Sequence, residues 1–158
     1  MTIKVDLRVV GIFFHTEVTL AGDGPFTVED ALVEAKNNST VSKSFDFVRR
    51  SPGQPKAPTN FSATYTNPVD SKASGNRYSA GHYSLSDSWD QDADFYRIWQ
   101  YYIQKPNNMI APADGEFVPA ERAIIEDGDT IIWRLVTIHV DAVTGRPGPN
   151  PDLVDLMG

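Results

Sequence analysis

Cysteine is absent from the 158-residue chain. That excludes disulfide staples, thiolate metal sites and a cysteine nucleophile together. Histidine is scarce: His15, His82 and His139 are the only three, and none pair at helix or strand spacing. A three-histidine site would have to be assembled from distant strands, so neither a metal nor another cofactor is expected. No apolar run approaches the roughly 20 residues of a membrane helix. Basic residues are few, 14 against 21 acidic ones, for a formal net charge of −7. That balance opposes nonspecific association with nucleic acid or an anionic membrane surface. The opening MTIKVDLRVVGIFF alternates instead of running a basic stretch into an apolar one. It reads as a strand and not a signal peptide, and a cytoplasmic location is the expectation.

Catalytic signatures are missing too. There is no G-x-S-x-G elbow, and the GDGP that precedes the helix lacks the Lys-Ser/Thr of a phosphate loop. Glu116, Glu121, Glu126, Asp127 and Asp129 offer carboxylates, but a pair carries little information without geometry. Asp87, Asp90, Asp92 and Asp94 crowd one stretch, and Asp90-x-Asp92-x-Asp94 mimics the opening of a calcium loop. Phe95 then stands where an EF-hand needs glycine and Tyr101 where it needs glutamate, which excludes an EF-hand. A looser calcium site using backbone carbonyls and a solvated connecting loop both remain open.

What is present is one domain's worth of chain, with eight Phe, six Tyr and three Trp for a core. Ile3, Val5, Leu7 and Val9 alternate with polar residues, and after Gly11 the alternation resumes through Ile12, Phe14, Thr16, Val18 and Leu20. Two strands turning near Gly11 are preferred to one bulged strand. A helix is expected over about 27–38. Thr27 is its N-cap, Glu29 and Asp30 occupy its first turn, and Val28, Ala31, Leu32 and Ala35 form one apolar face. Strands follow from Lys43, over TNFSATYTN and RYSAGHYSL, over 95–104, as an extended segment over 117–125, and over 130–140. Residues 105–115 read as a loop and EDGD as a turn. Residues 1–143 form one domain with an insertion at about 51–94. The Pro/Gly-rich tail 144–158 is either a loose terminus or an apolar tip that docks. The fold class is α+β, a mixed or antiparallel sheet packed on one main helix.

Three segments carry a resemblance. FTVEDALVEA resembles the G-x-T-V-x-D-A-L helix start of the transcobalamin-C-terminal-like family of β-grasp domains. WQYYIQKPNN resembles that family's W-x-Y-x-V-N-G strand and turn, and AIIEDGDTIIWRL its closing L-x-D-G-D-x-I-x-W hairpin. The resemblance implies a β-grasp fold with a β-rich insertion, and a ligand-binding or adhesive role. In transcobalamin-like proteins such a domain contributes to cobalamin binding, but no motif here reads out cobalamin. The turn carries QKPNN in place of Asn-Gly, and the insertion is longer than the family's.

The strands over 95–104 and 130–140 are apolar on both faces. Trp99, Tyr101 and Ile103 point one way, and Ile98, Gln100, Tyr102 and Gln104 the other. One helix covers one face, so the second needs the insertion, another subunit or a ligand. These observations point to a noncatalytic binding or assembly module. It would bury an apolar ligand, a peptide or a partner segment against Trp99, Tyr101, Tyr102 and Trp133, with Asn107 and Asn108 on the adjoining turn. A protein partner or self-association is expected, also through strand addition at a sheet edge. The contrasting readings are a small enzyme with a carboxylate or histidine site under the insertion, and a self-assembling structural subunit.

Overall fold

The computed structural model describes residues 1–49, 58–70, 77–88, 95–112 and 118–139. Alternating sequence builds β1 (Thr2–Val9) and β2 (Phe14–Ala21), paired antiparallel from Thr2↔Ala21 to Val9↔Phe14. The chain therefore turns between them, with Gly11 at φ +99° and Phe13 at φ +58°. The two-residue β3 (Phe26–Thr27) leads into α1 (Val28–Asn37). Thr27 caps the helix as expected. Its hydroxyl accepts from the Asp30 N–H while the Asp30 carboxylate accepts from the Thr27 N–H at 2.9 Å, a reciprocal capping box. Next come β4 (Lys43–Arg49), β5 (Pro58–Tyr65), β6 (Val69–Asp70), β7 (Arg77–Tyr78) and β8 (Gly81–Ser86). The chain closes with β9 (Phe95–Gln104), β10 (Ile110–Ala111), β11 (Ile124–Ile125) and β12 (Thr130–His139).

These elements make an α+β structure that is mostly β. A five-stranded mixed sheet runs β10-β9-β12-β1-β2, and a three-stranded antiparallel sheet runs β4-β5-β8. In the large sheet β1 and β12 are parallel, from Asp6↔Thr130 to Val9↔Trp133. β12 and β9 pair antiparallel over ten residues.

Several expectations are corrected. RYSAGHYSL is two strands, β7 and β8, because β7 turns back onto β6 while β8 extends the β4–β5 sheet. Among the described residues of 117–125, Ile124 and Ile125 alone form a strand. The Arg122 and Ala123 N–H groups both reach back to the Pro119 carbonyl, which coils the chain there. The loop over 105–115 contains β10, since Ile110 and Ala111 fold back on Gln104 and Ile103. The acidic run 89–94 and the tail 144–158 lie outside the described residues, and the calcium and tail readings go with them.

The described strands of the insertion do not cover the second face of the large sheet. They lie beside the helix, on the same face. One core joins Val5, Leu7 and Val9 of β1, Val28 and Leu32 of α1, Phe45 of β4, Phe61 of β5, Trp99 of β9 and Trp133 of β12. The reason is aromatic volume: the row Phe14, Phe45, Phe61, Trp99 and Trp133 needs ring partners that a ten-residue helix cannot supply. Phe14 stacks on Phe45 at 4.3 Å, and Phe61 meets Trp99 edge-on at 4.7 Å and Trp133 at 5.3 Å. Salt bridges from Glu29 to Arg49 and from Lys36 to Asp46 (3.0 Å) hold the helix alongside β4.

Phe61 is fully buried at the centre of this row. Phe61→Ala is expected to cost about 3–5 kcal/mol, measured by urea unfolding. Its neighbour Ser62, on the outer face of the same strand, is expected to tolerate alanine within about 0.5 kcal/mol. Equal losses at the two positions would remove Phe61 from the role of keystone.

Candidate functional site

The six residues singled out from the sequence do not share a surface. Trp99 and Trp133 are interior, 5% and 2% exposed, and their indole N–H groups have no hydrogen-bond partner. Tyr101 is half-buried beside Trp133 at 5.1 Å, and its hydroxyl donates to the Val118 carbonyl. Tyr102 is on the opposite face, its ring beneath the Arg134 guanidinium at 5.0 Å. The same face carries a small cluster of Ile98, Val136 and Ile138. Asn107 and Asn108 are exposed on the β9–β10 turn and serve it structurally. The Asn107 side chain accepts from the Met109 N–H at 3.1 Å, and Asn108, at φ +68°, accepts from Gln104 at 3.4 Å. The structure brings Trp99, Tyr101 and Trp133 together and separates Tyr102 and the two asparagines from them.

Chemistry gathers at the other end of the sandwich. The β1–β2 turn dips into the smaller sheet. Ile12 is fully buried and its carbonyl accepts from the Tyr65 hydroxyl at 3.2 Å. Phe13 stacks flat on Tyr78 at 3.6 Å and edge-on to Tyr83 at 5.1 Å. A bulky residue with positive φ is strained, and this aromatic clasp offsets the strain. Beneath the turn opens a cleft of about 400 Å³, lined by Phe13, His15, Lys43, Tyr65, Val69 and Asp70 among others.

Lys43 sits in the cleft because of strand alternation. It shares the inward row of β4 with Phe45 and Phe47 and pairs in register with Tyr65. Thr40 holds its backbone: the Lys43 N–H donates to the Thr40 hydroxyl at 3.2 Å, and the Thr40 N–H to the Lys43 carbonyl at 2.9 Å. The amine lies 4.9 Å from the Phe14 ring centre and donates to the His15 carbonyl. No described carboxylate pairs with it, and burial lowers its pKa from the ordinary lysine value. Burial thus penalises its charged form relative to the unfolded chain, and as pH rises toward 10.5 that penalty is lost and stability is gained.

The other described lysines are partnered: Lys4 with Glu17 at 3.8 Å, Lys36 with Asp46 at 3.0 Å and Lys105 with Asp129 at 2.8 Å. A second groove, about 450 Å³ on the outer face of the small sheet, differs in the same way. Its Lys36 is paired with Asp46, and its Thr64 and His82 bond each other at 2.8 Å. Among the described residues no three histidine or carboxylate side chains stand close enough to hold a metal ion. Nor is any helix long and apolar enough to cross a membrane. Lys43 was not singled out from the sequence, although the pattern Lys43-Ser44-Phe45-Asp46-Phe47 places a lysine on an apolar row. No protein-family model matches this chain, and no curated protein sequence matches it.

Two tyrosines bracket the core. Burial pushes the Tyr101 hydroxyl up to about 12, with the Glu121 carboxylate adding to it, and burial followed by Tyr83 pushes Tyr65 higher still. Both folded values lie above the unfolded value of 10.0, so their contribution is fully present below pH 10 and is lost as pH climbs through the raised values. Absorbance titration at 295 nm is expected to show Tyr65 and Tyr101 ionising late. Urea stability is expected to fall from pH 10 upward, less steeply in Tyr101→Phe. A single tyrosine step near pH 10 with the circular dichroism of the fold intact would contradict this.

Proposed function

We propose that this protein is a noncatalytic binding module of β-grasp type. The β-grasp reading is supported by strand order: a first hairpin, a helix, and a closing strand that returns parallel to β1 in the middle of the sheet. The ligand seat is the cleft at Lys43, and its ligand is a small molecule with an apolar body and an acceptor oxygen. The observation that carries this is a half-buried lysine that lines a cleft of ligand size and has no described carboxylate partner. Phe13, Tyr65 and Val69 receive the apolar body, and Lys43 donates to the oxygen. The aromatic strand β9 is the wall behind the seat's supporting core and not the seat itself, since Phe61 occupies the inward faces of Trp99 and Trp133.

Benzoate and benzamide test this reading by side-chain NMR. Resonances of Phe13, Lys43 and Tyr65 are expected to shift together and saturably. Lys43→Met is expected to weaken binding at least about tenfold, the worth of one charge-assisted hydrogen bond. Shifts confined to Tyr102, Asn107 and Asn108, or none with either compound, would move the seat elsewhere or abolish it.

A second reading, assembly by strand addition, rests on β2. Among the described strands it pairs only with β1, and Glu17, Thr19 and Ala21 along it are exposed. Light scattering during size exclusion is expected to show concentration-dependent association, reduced by proline at Thr19. A monomer at millimolar concentration ends this reading.

A further inference from the structure

We propose that Lys43 is a covalent carbonyl site: its amine condenses with a small aldehyde or ketone seated in the cleft and holds it as an imine. This rests on the cleft being the ligand seat and adds the class of ligand. Position is the first argument. The Lys43 stem runs along the inward row of β4, its backbone is fixed by Thr40, and its amine stands over the Phe14 ring beside an open volume of about 400 Å³. A single ring with a short chain fits that volume. The second argument is the company the amine keeps. Nucleophilic attack needs the unprotonated amine, and a carboxylate neighbour would hold the proton in place. Lys4, Lys36 and Lys105 each have such a neighbour, and Lys43 has none among the described residues.

The titratable groups facing the cleft are His15 from β2, Tyr65 from β5 and Asp70 from β6. The Tyr65 hydroxyl is engaged with the Ile12 carbonyl, and the Asp70 carboxylate is turned to Arg77 at 3.6 Å. Neither is committed to the amine. Burial lowers the Lys43 pKa, which enlarges the neutral share at a given pH.

The step balances without a further reagent. The amine lone pair attacks the carbonyl carbon, the π electrons move to oxygen, and a proton passes from nitrogen to that oxygen to give a carbinolamine. The nitrogen lone pair then expels the hydroxyl, which leaves as water with a proton, and the C=N bond remains. Water can reverse each stage, so the site captures and releases carbonyl compounds without net turnover.

The test treats the full chain with benzaldehyde and cyanoborohydride at pH 7.5, then maps labelled lysines by peptide mass spectrometry. Lys43 is expected to carry at least about tenfold more label than Lys4 or Lys36, because the cleft holds the aldehyde beside its amine and the other two must meet it from solution. Exposure alone predicts the reverse order, since the Lys4 and Lys36 side chains are 63% and 50% exposed. The comparison is made among lysines, because a free α-amine takes up label in any chain. Lys43→Arg, checked for its melting transition, is expected to abolish the preferred label and leave the rest unchanged. Label distributed by exposure overturns the imine. If benzaldehyde still shifts the Phe13 and Tyr65 resonances saturably, the cleft reading survives that result. If it shifts neither and labels nothing preferentially, both are lost.

Discussion

The parallel pairing of β1 with β12 is the constraint on which the remaining structure depends. Parallel neighbours cannot be joined by a tight turn, so almost the whole chain intervenes between them. Their register is set at one end by the turn over 126–129. The Asp127 carboxylate accepts from the Lys4 N–H at 2.8 Å, the Gly128 N–H donates to the Lys4 carbonyl at 2.8 Å, and the Asp6 N–H donates to the Asp129 carbonyl at 2.9 Å. Gly128 is at φ +86°, and a side chain there would press on Pro106 at 3.1 Å. Asp129 is buried, and one of its oxygens takes both the Glu126 N–H and the Lys105 ammonium at 2.8 Å. That carboxylate ties the β9–β10 hairpin to the same turn. A slip of β12 by one residue against β1 would send Ile131 and Trp133 to the face opposite Leu7 and Val9, so a few polar contacts at the turn protect the aromatic core.

From that register the division of the molecule follows. Once Trp133 and Trp99 face inward together, the small sheet is drawn over them by Phe61, and the helix takes the remaining ground above β1 and β2. The aromatic row continues through Phe45 to Phe14 and there runs out. The next inward position on β4 is Lys43. A large apolar side chain at that place would close the sandwich; a lysine leaves its end open, with the cleft as the result.

Local physics made much of this legible in the sequence. The helix declared itself through Thr27, Asp30 and the Val28, Ala31, Leu32, Ala35 face, because capping and periodicity are properties of neighbouring residues. The long strands β1, β2, β9 and β12 were equally plain from alternation. What alternation cannot say is which sheet a face meets. Both faces of β9 are rich in rings, and only the distant Phe61 decides that Trp99 is core while Tyr102 lies beneath Arg134. Strands of two residues, such as β3 and β11, have no period to detect. The site was half-legible: Lys43 stood on an apolar row in plain view, but its lack of a described carboxylate partner depends on where Asp46 points, and that carboxylate turns outward to Lys36.

The contrast between Lys105 and Lys43 separates structural from functional use of the same side chain. Lys105 approaches a buried carboxylate on the turn that sets the sheet register, so its charge is matched and removing it would strand Asp129. Lys43 ends the inward row of β4 with its amine over the Phe14 ring, where burial disfavours its charge and no described acid repays it. A chain selected for stability alone would place an apolar residue there, since the site already has a ring below and an aromatic clasp above. An amine with a carbonyl and a ring for company but no described carboxylate, at the open end of an otherwise closed core, is the arrangement expected where stability yields to binding. The strained Phe13 turn over the same cleft points the same way, because strain and unmatched charge meet at one place and not at scattered ones.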